Sequence, residues 1–121
     1  MEKTIPLKRN YEFLRAYRKG RFFVGRYMVL YLLKNRLKIN RLGITASKKV
    51  GNSVKRNRLR RLIKESYRKY EALLEEGFDI VFIARCSENT PGYWDIKKEM
   101  GFLFRKLKMI DRERLNCLEK L

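Results

Sequence analysis

The chain has no histidine, two cysteines and two prolines in 121 residues. Without an imidazole it cannot build a catalytic triad that uses one, and a zinc finger would lack its His ligands. Cys86 and Cys117 stand apart with no Cys-x-x-Cys pair, so both read as reduced, incidental thiols. Acid is scarce: 13 Asp and Glu face 31 Lys and Arg, for a net charge of +18. That balance leaves few candidates for a general base or a divalent-metal site, and the sequence names no metal ligand. No apolar run approaches the length of about 18 residues that reads as a membrane span. The longest, Tyr27–Leu33, is strand-sized. The first 20 residues hold no apolar run of signal-peptide length, so the chain reads as cytoplasmic.

What is present is a core-forming composition under a heavy positive charge. Hydrophobic residues make up 45% and aromatics 12%, which excludes a disordered basic tail. The length suits a single domain over residues 1–121 that buries its own core. A compact body with so much uncompensated charge repels itself, so a polyanionic partner is the economical explanation. Nucleic acid leads, and an anionic membrane surface is the weaker candidate.

Periodicity predicts a first short helix from Asn10, read as its cap, to Gly20, with Phe13, Leu14 and Tyr17 at helical spacing. Phe22–Leu33 reads as strand, divided by Gly25 into a short and a longer piece. Only one of the adjacent Phe22 and Phe23 can then face inward. RLGITASKK, from Arg41, alternates as a further strand. GNS at 51–53 opens a long helix, capped by Asn52 or Ser53 and closed by Gly77. FDIVFIA reads as a buried strand, and Thr90-Pro91 as the capped start of a last helix with the stripe Ile96, Met100, Leu103 and Leu107. Trp94, near the start of that helix, reads as a packing residue. The order helix, two or three strands, helix, strand, helix gives an α+β class with one small, mainly antiparallel sheet packed by helices.

The long helix carries KRNRLRRLIKESYR at 55–68, seven cations and one acid in fourteen positions. Such a run is ordinarily a solvated surface. On a helical wheel Leu59, Leu62, Ile63, Tyr70, Leu73 and Leu74 share one side. Asn57, Arg61, Lys64 and Arg68 fall almost opposite, flanked by Arg58 and Arg60, with Lys55 and Arg56 in the first turn. Like charges four apart cost each pair a few tenths of a kcal/mol, so this face is worse for stability than an alternating one. What it gains is a row able to hold phosphates, rich in Arg, whose planar fork suits bidentate contacts. Lys48 and Lys49 extend it beyond the helix start. Glu65 reads as a partner for neighbouring Arg side chains.

With SKKVGNSVK before it, RNRLRR at 56–61 resembles the signature of the bacterial ribonuclease P protein component. NYEFLRAYRKG at 10–20, VGRYMVLYLL at 24–33, the block at 41–68 and FDIVFIAR at 78–85 match that family in order, so the resemblance covers roughly residues 7–108. It implies a small sheet with a left-handed βαβ crossover, of the kind found in a ribosomal-protein domain, against the usual right-handed rule. It also implies a protein that does no chemistry itself. Such a protein joins a catalytic RNA, binds precursor tRNA, and supports Mg²⁺-dependent removal of the 5′ leader, with the metal used mainly through the RNA. No obligate protein partner is implied.

By the same resemblance, Lys48, Lys49, Lys55, Arg56, Asn57, Arg58, Arg60, Arg61, Lys64 and Arg68 meet the catalytic RNA. Phe13, Tyr17, Val29, Tyr31, Thr45 and Ser47 line a cleft for the single-stranded leader. Aromatics hold unstacked bases without strict sequence demands. A structural RNA-binding protein of ribosomal type explains charge and size equally well, without a reason for the cleft. An autonomous nuclease would need a general base or metal ligands, for which the chain offers few candidates, and a membrane binder would need the apolar helix face that the core requires.

Overall fold

A hairpin and a parallel crossover share one five-stranded sheet in the computed structural model, which describes residues 3–110. In chain order the elements are β1 (Thr4–Pro6), α1 (Asn10–Lys19), β2 (Arg21–Val24), β3 (Met28–Lys34), β4 (Asn40–Thr45), α2 (Ser53–Tyr70), β5 (Phe78–Ala84) and α3 (Tyr93–Lys106). The strands lie in the order β1-β4-β5-β3-β2. The pairs β2–β3 and β3–β5 run antiparallel, whereas β1–β4 and β4–β5 run parallel. The class is α+β, as expected. The sheet is mixed, because a strand-helix-strand unit of adjacent strands must return in the same direction.

Alternation along the strands assigns the two faces. Met28, Leu30 and Leu32 of β3, with Leu42, Ile80 and Phe82, face α2 and α3 and form the main core. Leu59, Leu62, Ile63, Tyr67 and Tyr70 supply the covering stripe of α2, and Ile96, Met100, Leu103 and Phe104 that of α3. Each fully buried side chain of this size contributes roughly 1.5–3 kcal/mol. Among the described residues the opposite face is covered by α1, where Ala16 meets Leu7 and Val81, with Phe13, Tyr17, Tyr31 and Ile83 at the margin.

That second face is held by charge as much as by apolar contact. Asp79 is fully buried and accepts from Arg41 Nε at 2.7 Å, Arg41 Nη2 at 2.8 Å, Asn35 Nδ2 at 3.0 Å and Arg15 Nη2 at 3.5 Å. Arg41 also donates to Glu12 of α1. The bond to Asp79 raises the Arg41 guanidinium above its ordinary value. Removing one member of such a buried set strands the others, typically at about 3–5 kcal/mol. The first helix therefore docks through Ala16 and an ion-paired Glu12, which leaves its aromatics half-exposed at the edge.

Several element ends differ from the sequence reading. Asn10 is the first helical residue, and the cap is Arg9, whose amide donates to Glu12 Oε1 at 3.0 Å. Asn52 does cap α2, its side chain accepting from the Lys55 amide at 2.9 Å. The α-helix stops at Tyr70, and a 3₁₀ turn over Glu71–Leu73 leads out to Gly77. Gly77 has φ +88, and a Cβ there would lie 2.8 Å from the Leu37 carbonyl oxygen, so only glycine starts β5 cheaply. The strand begun at Asn40 ends at Thr45, leaving Lys48–Val50 as a 3₁₀ turn. Thr90 and Pro91 precede α3 rather than start it. Gly92 is the cap, its amide donating to Asp95 Oδ2 at 2.9 Å. Trp94 is 73% exposed and is not a packing residue.

The sequence reading also lacks β1. Three residues ending in Pro6 carry no alternation, and proline is tolerated there because the strand lies at a sheet edge. Thr4 Oγ1 lies 2.7 Å from the Tyr67 hydroxyl, which ties this edge to α2; burial pushes the Tyr67 phenol up to about 12. Cys86 is exposed and unpaired among the described residues, and Cys117 lies outside them.

Candidate nucleic-acid interface

The outward side of α2 presents Asn57, Arg58, Arg61, Lys64 and Arg68, all exposed. Among the described residues the ion pairs all belong to the network under α1, so none joins these cations to an acid of the chain. Glu65 makes no such pair either, contrary to its expected role. An exposed helix side with no internal counter-charge keeps its full field for an outside anion.

Arg60 differs from its neighbours. It is half-buried, and its guanidinium donates to Asn57 Oδ1 at 3.1 Å and to the Ala46 carbonyl at 3.2 Å. It anchors the first turns of α2 to the end of β4 and holds the side-chain oxygen of Asn57. Lys55 and Arg56 are also half-buried, while Lys48 and Lys49 are exposed on the 3₁₀ turn just before the helix.

Across the sheet, α1 and the strands beneath it hold a row of rings. Phe13 and Tyr17 lie 6.5 Å apart between centroids, Tyr17 and Tyr31 5.1 Å, and Tyr31 and Phe22 5.3 Å, the last pair stacked at 27°. Beside them opens a groove of about 370 Å³ lined by Asn10, Phe13, Leu14, Tyr17 and Thr45. Burial raises the Tyr17 phenol above its ordinary value, and the neighbouring Thr45 side chain offsets part of that rise. Gly43 makes room for the row, because a Cβ on it would lie 2.4 Å from Phe13 Cε1.

Of the six cleft residues named from the sequence, Phe13, Tyr17 and Thr45 line this groove, and Tyr31 stands against Tyr17 in the row of rings beside it. Val29 shares the same strand face two residues from Tyr31, paired with Val24 and Ile83. Ser47 lies beyond the strand end, exposed at the start of the 3₁₀ turn, so it does not share a strand face with Thr45. Phe22 was missed. It is 56% exposed and pairs with Tyr31 across the hairpin, whereas Phe23 turns to the other side and meets Phe102 at 5.7 Å. The usable signal was the hairpin register, which places a residue beside Tyr31.

The two surfaces lie on opposite layers and meet at one point of the chain. Thr45 faces the aromatic groove, and the carbonyl of the next residue, Ala46, holds Arg60 of the basic helix. No three Asp, Glu, His or Cys groups converge as metal donors among the described residues. The carboxylates of Glu12 and Asp79 are already spanned by Arg41. No helix among the described residues is long and apolar enough to cross a membrane.

Known proteins resemble this chain in sequence and in fold. The family model described as Ribonuclease P matches residues 1–108. The ribonuclease P protein component of Clostridium botulinum, Loch Maree strain, is 50% identical over 105 residues, covering 86% of this chain and 95% of the relative. That of Alkaliphilus metalliredigens is 46% identical over 112 residues, covering 91% and 99%. Among solved structures, an RNase P protein of Staphylococcus aureus superposes with a TM-score of 0.80 at 31% identity, covering 88% of this chain and 97% of that one. The Thermotoga maritima RNase P protein gives 0.73 at 28% identity, covering 83% and 96%.

Proposed function

Since the chain belongs to the ribonuclease P protein family, the protein component of a tRNA-processing ribonucleoprotein, we propose that it binds a catalytic RNA through α2 and the 5′ leader of precursor tRNA through the groove under α1. The observation that carries this reading is the pairing of an un-neutralised cation row with a separate aromatic groove. A row of Arg and Lys on a rigid helix recognises folded RNA by its phosphates, without demanding sequence. Half-exposed rings beside a groove stack unpaired bases, each contributing about 1–3 kcal/mol. The two surfaces meet at Thr45 and Ala46, so a leader in the groove would pass close to RNA held on the helix.

In this reading the hydrolysis belongs to the RNA, and Mg²⁺ is held through RNA phosphates. The part played by the protein is to grip the RNA, offset its charge and position the leader. The test is cleavage of precursor tRNA by the partner RNA at low Mg²⁺, with and without the protein, on substrates with and without a leader. Adding protein is expected to raise cleavage, and to raise it more for the substrate with a leader. An RNA-only rate unchanged by protein points instead to a structural RNA binder, and cleavage by protein alone points to an autonomous nuclease.

A further inference from the structure

The outer side of α3 carries aromatics and cations that the reading above does not use. Trp94 is the only tryptophan of the chain and is 73% exposed. Lys97 Nζ stands 5.1 Å over its ring centroid, and Tyr93 meets it edge-on at 5.3 Å. Two turns further along, Phe102 is 38% exposed beneath Arg105 at 5.8 Å and Lys106 at 5.4 Å. A large ring left in water adds little to the fold, and exposed apolar surface rimmed by polar groups marks interaction sites.

Two grooves open on either side of Lys98. One, of about 270 Å³, is lined by Tyr70, Trp94, Lys97 and Lys98. The other, of about 320 Å³, is lined by Lys98, Arg26, Tyr27, Phe102 and the acids Asp95 and Glu99. Both acids are held by backbone. Asp95 accepts the Gly92 amide at 2.9 Å, and Glu99 accepts the amides of Arg26 at 2.5 Å and Tyr27 at 2.9 Å. Among the described residues no ion pair joins Lys97, Lys98, Arg105 or Lys106 to either acid, and cations outnumber acids on this side.

We propose that this side of α3 is a second platform for unpaired RNA, with one base stacked at Trp94 and the backbone phosphate beside it held by Lys98. The neighbouring groove at Tyr27 and Phe102 takes the next base. Charge selects the occupant: a second copy of a chain with net charge +18 is repelled, whereas a polyanion with flat apolar bases matches both features. Because α3 packs on the sheet face opposite α1, this strand is a different RNA segment from the one in the aromatic groove. The inference rests on the RNA-binding reading above.

The single tryptophan supplies the test. The full chain is titrated with a short oligouridylate while Trp94 fluorescence is followed, with anisotropy of the labelled oligonucleotide measured in parallel. The expected result is saturable quenching that survives in Tyr31→Ala, is reversed by salt, and shifts about fivefold or more to weaker binding in Lys98→Ala. Trp94→Ala, added to Tyr31→Ala and read by anisotropy, is expected to weaken binding by a further five- to 100-fold or so. Rising anisotropy without a fluorescence change overturns this inference and leaves the proposed function standing. No rise in anisotropy overturns both. Quenching that grows with protein concentration in the absence of RNA assigns the face to self-association and overturns it too.

Discussion

Tyr31 sits between two rings, edge-on to Tyr17 and stacked on Phe22, and stays half-buried. Tyr31→Ala should leave assembly with the catalytic RNA intact while lowering affinity for leader-bearing substrate by about 1–3 kcal/mol. Filter binding against precursor tRNA with and without a leader reads that difference. If the variant melts near room temperature instead, the ring belongs to the core and the groove assignment fails. Gly43→Ala tests the same row from beneath. Its new methyl would stand 2.4 Å from Phe13 Cε1 and 2.7 Å from Cζ, so the ring must swing into the groove. The expected cost is about 1–3 kcal/mol of stability from overpacking, together with weaker leader binding, read by thermal melts and anisotropy. These residues differ in how visible they were beforehand. Phe13, Tyr17 and Tyr31 were named through the family resemblance, with which their spacing on a helix and on an alternating strand is consistent. Phe22 could not be named, since either of two adjacent phenylalanines fitted until the register with Tyr31 chose. Gly43 was invisible, because its role is to be absent where a ring from a distant helix passes.

Along α2 the basic positions divide by what they touch, and the helix can be taken apart on that basis. Arg61→Ala removes an exposed cation with no ion-pair partner among the described residues, so stability should change by less than about 0.5 kcal/mol. Affinity for the catalytic RNA should fall, with the slope against salt shallower by about one unit. Arg60→Ala also breaks the bonds to Asn57 and the Ala46 carbonyl. It should therefore lose about 0.5–1.5 kcal/mol of stability per bond as well as affinity. Urea denaturation beside RNA titration separates the two, and equal stability loss in both variants would refute the division. The amphipathic stripe and the cation row were legible because α2 is long enough for a 3.6 period to show. Its end was not, since Glu71–Leu73 keep the composition of a helix while tightening to a 3₁₀ turn. Nor was β1, three residues whose pairing comes entirely from β4. The docking of α1 was not legible either, for a physical reason. Its buried contacts are Ala16 and a paired Glu12, and the charges that neutralise Glu12 come from Arg41 and ultimately Asp79, far along the sequence.

For the molecule as a whole, element order and charge were readable, and the arrangement that gives the charge its use was not. Nothing in the sequence states that α1 lies on one face of the sheet while α2 and α3 share the other, nor that the parallel pairs sit beside the hairpin. That layering spreads a net charge of +18 over surfaces facing different ways. One consequence follows for the free protein and an opposite one for its complex. Self-repulsion of like charge opposes folding and is screened by salt. The melting temperature of the free protein should therefore rise as monovalent salt is added from low ionic strength. Binding to the catalytic RNA releases condensed counterions, so affinity should fall steeply over the same range. With about six to ten phosphates met, the fall between 50 and 200 mM salt is roughly 10³–10⁵-fold. Circular dichroism melts of the protein alone and anisotropy titrations of the complex, run in matched buffers, check both slopes. A salt-independent affinity would show that the exposed row on α2 does not meet phosphates, whatever the melting curves do. A melting temperature indifferent to salt, beside a steep binding slope, would mean that the cations are spaced widely enough not to burden the fold and act only when RNA arrives.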